Sequence, residues 1–433
     1  MKRPCGICVY LQGSSRTAPT LTLLFSLFFI LQANVAEAAN KAEWQASVQS
    51  GFGQAHVYWG ALVRPRLQGS GRLGSLALSI PLMFNFSNNE PGSPGVMLNR
   101  WSDPETYAGI LETYDGVFFK DQLRLHAGAL TQESFHYGSL IEQYTGRLDF
   151  LRSKSGLRMD GKFAHGGTTF MIDSIVAPRL LGFAGEISPL SAAGKDPNHR
   201  LRLIGSLAAD AHAPSLQGDR ALWGGEGGLG VAVFKSQRHT VEFFGLGAGL
   251  FGMGGGGHLG VKWTFEQAKP IDRVTLQLEY VLSGDGYVPG YFSMAYASDR
   301  VQRAGYAGLS QRDVEVPGGH WARWQFDLRA GRFRTGLLGS VKVGDYGTMA
   351  LYAAWVEPKW QVRALWLKRH IENAAGVFNL DDATGAQLEA SYAFDSGMFL
   401  FTMLSQTWRL AHVDSDMVIA RDWILGAGYA FGG

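Results

Sequence analysis

From Trp321 the chain reads Trp-Ala-Arg-Trp-Gln-Phe-Asp-Leu-Arg-Ala, which sets Ala322, Trp324, Phe326 and Leu328 on one face of a strand and Arg323, Gln325, Asp327 and Arg329 on the other. Successive side chains on a strand point to opposite faces, so this period of two places the segment between an apolar medium and a wet one. The pattern recurs. Val274, Leu276, Leu278 and Tyr280 oppose Thr275, Gln277 and Glu279; Leu123, Leu125 and Ala127 oppose Arg124 and His126. Leu157, Met159 and Phe163 oppose Arg158, Asp160 and Lys162; Leu259, Val261, Trp263 and Phe265 oppose His258, Lys262, Thr264 and Glu266. Toward the C-terminus, Trp360, Val362, Ala364 and Trp366 oppose Gln361 and Arg363, and Leu388, Ala390, Tyr392 and Phe394 oppose Gln387, Glu389 and Ser391.

A soluble sandwich alternates too, so length and aromatic placement decide. Segments of about nine to twelve residues, separated by short turns such as Ser236-Gln237-Arg238 and Gly344-Asp345, suit tilted membrane strands. Trp324, Trp360, Trp366 and Trp423 fall near segment ends on the apolar face, where interface girdles form. Trp321 shares the parity of Arg323 and is expected to face inward or lie in the turn. The 57 glycines fit a twisted barrel with tight turns.

Lys2, Arg3 and Arg16 precede an apolar run from Leu21 to Leu31 and the small-residue site Ala36-Glu37-Ala38, the form of a secretory signal cleaved after Ala38. Residues 1–38 are thus read as a signal peptide and 39–433 as one domain. Both cysteines, Cys5 and Cys8, lie in the removed segment, so no disulfide or thiolate chemistry is expected of the mature chain. Taking Lys2, Arg3, Arg16 and Glu37 from the 39 basic and 37 acidic residues leaves 36 of each, which gives no argument for nucleic acid. No later stretch approaches the roughly 18 consecutive apolar residues of a membrane helix. The prediction is all-β: a single transmembrane antiparallel β-barrel. At about 22 to 24 residues per strand and loop, 16 to 18 strands are expected, with 18 preferred.

Near the C-terminus Trp423, Leu425, Ala427, Tyr429 and Phe431 alternate with Ile424, Gly426, Gly428 and Ala430, followed by Gly432 and Gly433. This stretch resembles the terminal strand of Gram-negative outer-membrane β-barrel proteins of porin-like type. The resemblance implies residence in the outer membrane of a Gram-negative bacterium, contact with outer-membrane lipid, and recognition by the barrel-assembly machinery. Asn88 to Tyr107, Gly284 to Gly318 and Ile371 to Thr384 read as long loops, extracellular or folded into the lumen. No plug domain is visible, because strand-like segments begin by Trp44 and run to Phe431.

In the inward register the basic set is Arg124, Arg158, Lys162, Arg200, Arg202, Lys262, Arg323, Arg329, Arg332, Arg334, Lys342, Arg363 and Arg369. The acidic set is Asp160, Glu242, Glu266, Glu279, Asp327 and Glu389. Such a lumen concentrates anions. Arg124, Arg158, Lys162, Arg200, Arg202, Lys262, Arg323, Asp327, Arg329, Arg332, Arg334 and Arg363 are the pore-lining candidates. Arg332 and Arg334 have the opposite parity to Arg323 and Arg329, so all four face inward only if Ala330-Gly331 resets the register. The competing reading is a salt-bridge ladder that only holds the wall.

Gly247-Ala248-Gly249-Leu250-Phe251-Gly252 matches a dinucleotide fingerprint but lacks a βαβ unit and reads as a strand leading to a turn at Gly254 to Gly257. The histidines show no metal-ligand spacing, so neither metal nor cofactor is expected. Ser134-Phe135-His136-Tyr137-Gly138-Ser139 puts hydroxyls beside an imidazole, which raises an outer-membrane lipid hydrolase as a minor alternative. The expected function is a non-enzymatic channel, passing small hydrophilic or anionic solutes or exporting an anionic polymer. The alternative is a structural or surface-complex barrel.

Overall fold

The computed structural model describes residues 43–431 apart from 56–57, 72–73, 87–94, 97–106, 147–153, 196–199, 214–219, 295, 297–315, 372–373, 382 and 411–416. The expected signal peptide lies outside the described residues. The strands are β1 Glu43–Ala55, β2 Tyr58–Gly71, β3 Gly74–Ser79, β4 Leu82–Asn85, β5 Gly95–Val96, β6 Leu111–Phe118, β7 Leu123–Gly128, β8 Ile141–Glu142, β9 Gly156–Phe163, β10 Gly166–Ile172, β11 Leu180–Ile187 and β12 Leu201–Ala213. They continue as β13 Arg220–Lys235, β14 His239–Leu250, β15 Gly254–Ala268, β16 Ile271–Ser283, β17 Phe292–Ser293, β18 Gly319–Ala330, β19 Phe333–Lys342, β20 Gly347–Val356, β21 Trp360–Ile371, β22 Thr384–Ala393, β23 Met398–Leu410 and β24 Met417–Phe431.

Each wall strand pairs antiparallel with its neighbour, and β24 returns to β1 with Gly51 opposite Gly426 and Ala46 opposite Phe431. The sheet therefore has no open edge. β3 and β4 are one strand of the wall, both paired to β2 and interrupted at Ile80-Pro81, where proline has no N–H for a ladder bond. Counting them once, and leaving aside β5, β8 and β17, the closed barrel has 20 strands. This corrects the expected 18. The error lies in the share allotted to turns: at the end of the barrel that carries both termini, connections such as 331–332 and 164–165 are two residues long.

Outward positions are apolar. On β16, Leu278, Tyr280 and Leu282 are exposed while Thr275, Gln277, Glu279 and Ser283 are buried. The exposed face also carries Trp44, Trp223, Trp355, Trp360, Tyr429 and Phe431, the belt of a barrel solvated by lipid. The turn after β14 lies at Phe251–Met253, and Gly254–Gly257 open β15 instead of forming the turn.

The main buried core sits inside the barrel. Leu130, Phe135, Tyr137, Leu140, Ile141 and Tyr144, from the connection between β7 and β9, pack against the inward residues Ile204, Leu222, Phe244, Leu246, Leu250, Val281 and Trp321. Tyr287, Tyr291, Phe292 and Tyr296, from the connection after β16, join the same cluster. Phe292 and Ser293 pair in parallel with Ile141 and Glu142, tying the two loops together. One side of the lumen is thus filled by chain: the segment after β16 folds inward, one of the two placements expected for Gly284 to Gly318, and it is joined by the 129–155 connection, which the sequence did not mark as a loop. The expected loop at Asn88 to Tyr107 lies mostly outside the described residues, and Ile371 to Thr384 contains a 3-10 turn at Ala374–Phe378.

Candidate functional site: the lumen and its inward loop

The segment after β7 abandons the two-residue alternation, and its backbone turns with positive φ at Gln132, His136, Gly138 and Gln143. These reversals keep the loop compact enough to lie along the wall. Inward glycines make room for it. A Cβ at Gly224 would lie 3.1 Å from Leu140, at Gly230 2.3 Å from the Tyr137 hydroxyl, and at Gly182 2.7 Å from the Phe135 ring. These three glycines therefore form a seat for the loop.

Polar side chains of the wall hold the loop down. Arg323 on β18 donates to Glu279 on β16 at 2.7 Å, to the Gly138 carbonyl at 3.0 Å, and pairs with Glu142 at 2.5 Å. Gln277 donates to the Tyr137 carbonyl at 2.9 Å. The Tyr137 hydroxyl donates to Glu242 at 2.8 Å, and Arg202 joins Glu242 at 2.5 Å and Glu186 at 3.0 Å. His258 lies between Glu279, at 2.6 Å from Nδ1, and the Tyr287 hydroxyl, at 2.8 Å from Nε2. Tyr287 donates in turn to the Ser139 carbonyl at 3.2 Å. At the loop base Lys154 donates to Asp173 at 2.9 Å. Burial pushes the Tyr137 and Tyr287 hydroxyls up, and it raises the Glu142 carboxyl against the opposing pull of Arg323. Burial also holds the His136 imidazole below its usual range.

The basic set divides between this seat and the open wall. Arg158, Arg202 and Arg323 face inward but are engaged: Arg158 pairs with Asp160 at 2.9 Å and with Glu133, and Arg323 is buried under the loop. Lys262 lies over the Tyr137 ring, 5.5 Å from its centroid. Lys342 donates to the Pro317 carbonyl at 2.7 Å and lies over Trp321, which faces inward. Arg369 is also buried. Arg158, Arg202 and Arg323 are thus held by ion pairs, whereas Lys262 and Lys342 meet an aromatic ring and Lys342 also a backbone carbonyl.

Below the loops, toward the end with the termini, Arg273, Arg329 and Arg334 are successive cross-strand partners on β16, β18 and β19. Arg334 lies opposite Ala354, and Ala354 lies opposite Arg363, which extends the row to β21. Arg329, Arg334 and Arg363 are exposed to the lumen. Arg329 has no ion pair among the described residues. Arg334 stacks toward Tyr352 at 5.9 Å, and Arg363 lies 3.9 Å from Glu389. Asp327 sits one step above, accepting from Gln325 at 2.5 Å and from Tyr352. The register does reset at Gly331, a hairpin turn with φ 55°. Arg334 therefore joins Arg329, while Arg332 lies in the turn, exposed and paired with Glu357 at 3.2 Å. Arg124 and Lys162 face inward on β7 and β9, with Arg124 opposite Asp160. Arg200 precedes β12 and is exposed at the same end.

The hydroxyl and imidazole of the Ser134–Ser139 stretch do not meet. Ser139 is fully buried, and His136 Nε2 lies 3.2 Å from the Gly205 carbonyl. The sequence reading missed Glu133 and Glu142, although the loss of alternation after Gly128 and the inward apolar run on β14 both signal that chain packs inside.

No protein-family model matches this sequence, and no curated protein matches it. Among solved structures it is similar to Pseudomonas aeruginosa OccK2 (OpdF) in complex with glucuronate, at 10% identity and a TM-score of 0.34, over 91% of this chain and 98% of that one. Pseudomonas aeruginosa OpdK with vanillate is similar at 10% identity and a TM-score of 0.35, over 91% and 99%. A BenF-like porin from Pseudomonas fluorescens Pf-5 is similar at 8% identity and a TM-score of 0.33, again over 91% and 99%. The strand count and the site described above rest on this chain's own geometry.

Proposed function

We propose that the protein is an outer-membrane channel of porin-like type, which passes small hydrophilic solutes and favours anions. The reading is carried by the row Arg273, Arg329, Arg334 and Arg363, solvated on the inner wall beneath the inward loops. Like charges placed opposite one another across a sheet cost stability, and guanidinium groups lining a water-filled path raise the local concentration of anions. The loop seat narrows the lumen from one side, so a solute passes between the loop face and the opposite wall. In an outer membrane the end with the termini faces the periplasm, which places the arginine row below the constriction. An anionic polymer fits the same charge. Reversal-potential measurements in planar bilayers test the reading: anion selectivity that falls when Arg329, Arg334 and Arg363 are changed to Gln supports it, and unchanged selectivity contradicts it.

A further inference from the structure

Glu226 on β13 and Ser206 on β12 are direct cross-strand partners, both inward and both buried. The loop residues on either side of Ser139 fix what lies above them, since Leu140 covers Gly224 and Tyr137 covers Gly230. Ser139, itself fully buried, is thereby placed over Glu226, and its hydroxyl and that of Ser206 stand beside the carboxylate. None of these four oxygens, Glu226 Oε1 and Oε2, Ser139 Oγ and Ser206 Oγ, has a well-directed hydrogen bond. Buried polar atoms are almost always satisfied by protein, water or an ion. The charge around them is also one-sided: Glu142, Glu226 and Glu279 share the single guanidinium of Arg323, which is taken up by Glu142 and Glu279. Of these three carboxylates, His258 meets Glu279.

We propose that Glu226, Ser206 and Ser139 form a binding site for a small hard cation, which bridges the barrel wall to the tip of the inward loop. The donor set is all oxygen, with one carboxylate and two hydroxyls, the ligand chemistry of alkali and alkaline-earth ions and not of zinc or copper. A buried carboxylate without a cationic partner is costly, and a bound cation removes that cost while holding the loop in its seat. A buried water would satisfy the hydroxyls but would leave the charge unbalanced.

The test uses the refolded, detergent-solubilised full barrel in choline chloride with chelator, and follows the midpoint of its heat-induced mobility shift in electrophoresis. NaCl or CaCl2 is titrated in at constant ionic strength. The expected result is a saturable rise of the midpoint with one of the two ions, and the ion acting at the lower concentration identifies the occupant. Ser139→Ala and Ser206→Ala should shift the half-saturating concentration upward several-fold, and Glu226→Gln should abolish the response. If Glu226→Gln does not fold, the two serine variants carry the same test. A wild-type midpoint that responds to neither ion, or one that responds equally in all the variants, overturns the site. The readout does not depend on conduction, so failure here is separable from failure of the channel reading.

Discussion

Arg329 and Arg334 stand directly opposite one another across the β18–β19 hairpin, and Arg273 stands opposite Arg329 on its other side. Arg273 faces Glu266 on its far side, but Arg329 has like charges on both neighbouring strands, which is unfavourable for a wall that only has to stand. Changing Arg329 to Gln should therefore leave the barrel as stable as before or slightly more so, while anion selectivity falls. Urea unfolding in lipid vesicles, set beside reversal potentials, checks both halves; a loss of stability with selectivity intact would mark the row as structural.

The loop seat should be stiff. Removing the Arg323 head group by Arg323→Met leaves Glu279 and Glu142 without their shared cation, and breaking such a buried pair costs about 3 to 5 kcal/mol. The variant is expected to show a lower unfolding midpoint together with larger or noisier single-channel openings, as the loop leaves the wall. A quiet, unaltered conductance would mean that the loop does not border the path.

The two faces of the glycine-rich strands make opposite predictions. A Cβ at Gly260 would lie 2.3 Å from the Phe244 ring, so Gly260→Ala should cost about 1 to 3 kcal/mol through overpacking. At Gly247 a Cβ meets nothing within 4 Å, and Gly247→Ala should be neutral or stabilising by about 0.5 to 1 kcal/mol. Equal costs in unfolding titrations would refute the assignment of faces.

Arginine at the lipid-facing Leu278 should cost about 2 to 4 kcal/mol near the bilayer midplane, whereas arginine at Gln325 should cost little. Gln277 has the same parity as Gln325, and from sequence the two are expected to tolerate arginine alike. The structure separates them, because Gln277 is buried beneath the loop and bonded to the Tyr137 carbonyl. Arginine there should be as disruptive as at Leu278. Measured tolerance at position 277 would argue that the loop is not seated.

A hydrogen bond from Lys368 holds the Asp381 carboxyl below its usual range. Its folded value lies under its unfolded one, so the pair's contribution is present above the ordinary carboxylate range and is lost as pH falls through the lowered value. Asp381 is half exposed, which limits the effect to about 1 kcal/mol at most. Asp381→Asn should lower the unfolding midpoint at neutral pH and match the wild type in strong acid.

Parity in β16, β18, β21 and β22 made the barrel legible, since one slipped residue would turn Leu278 or Phe326 into the lumen. It also identified Arg329 and Arg334 as neighbours once the turn at Gly331 reset the register. Parity cannot tell a residue that faces water from one that faces another segment, which is why Arg323 read as pore lining and proved to be a loop anchor. The partners that decide this are far apart in sequence: Gly138 and Arg323 are separated by 185 residues. The strand number was misjudged for a simpler reason: turns of two residues, as at 331–332, bring the length per strand and loop below the roughly 22 to 24 residues expected.

Single-channel recording of the refolded barrel in a planar bilayer, with a salt gradient to read ion selectivity, tests the channel reading most directly. The expected result is steady anion-selective openings that move toward cation selectivity when Arg329, Arg334 and Arg363 are neutralised together. A correctly folded barrel that stays silent, or whose selectivity ignores those three arginines, would contradict it.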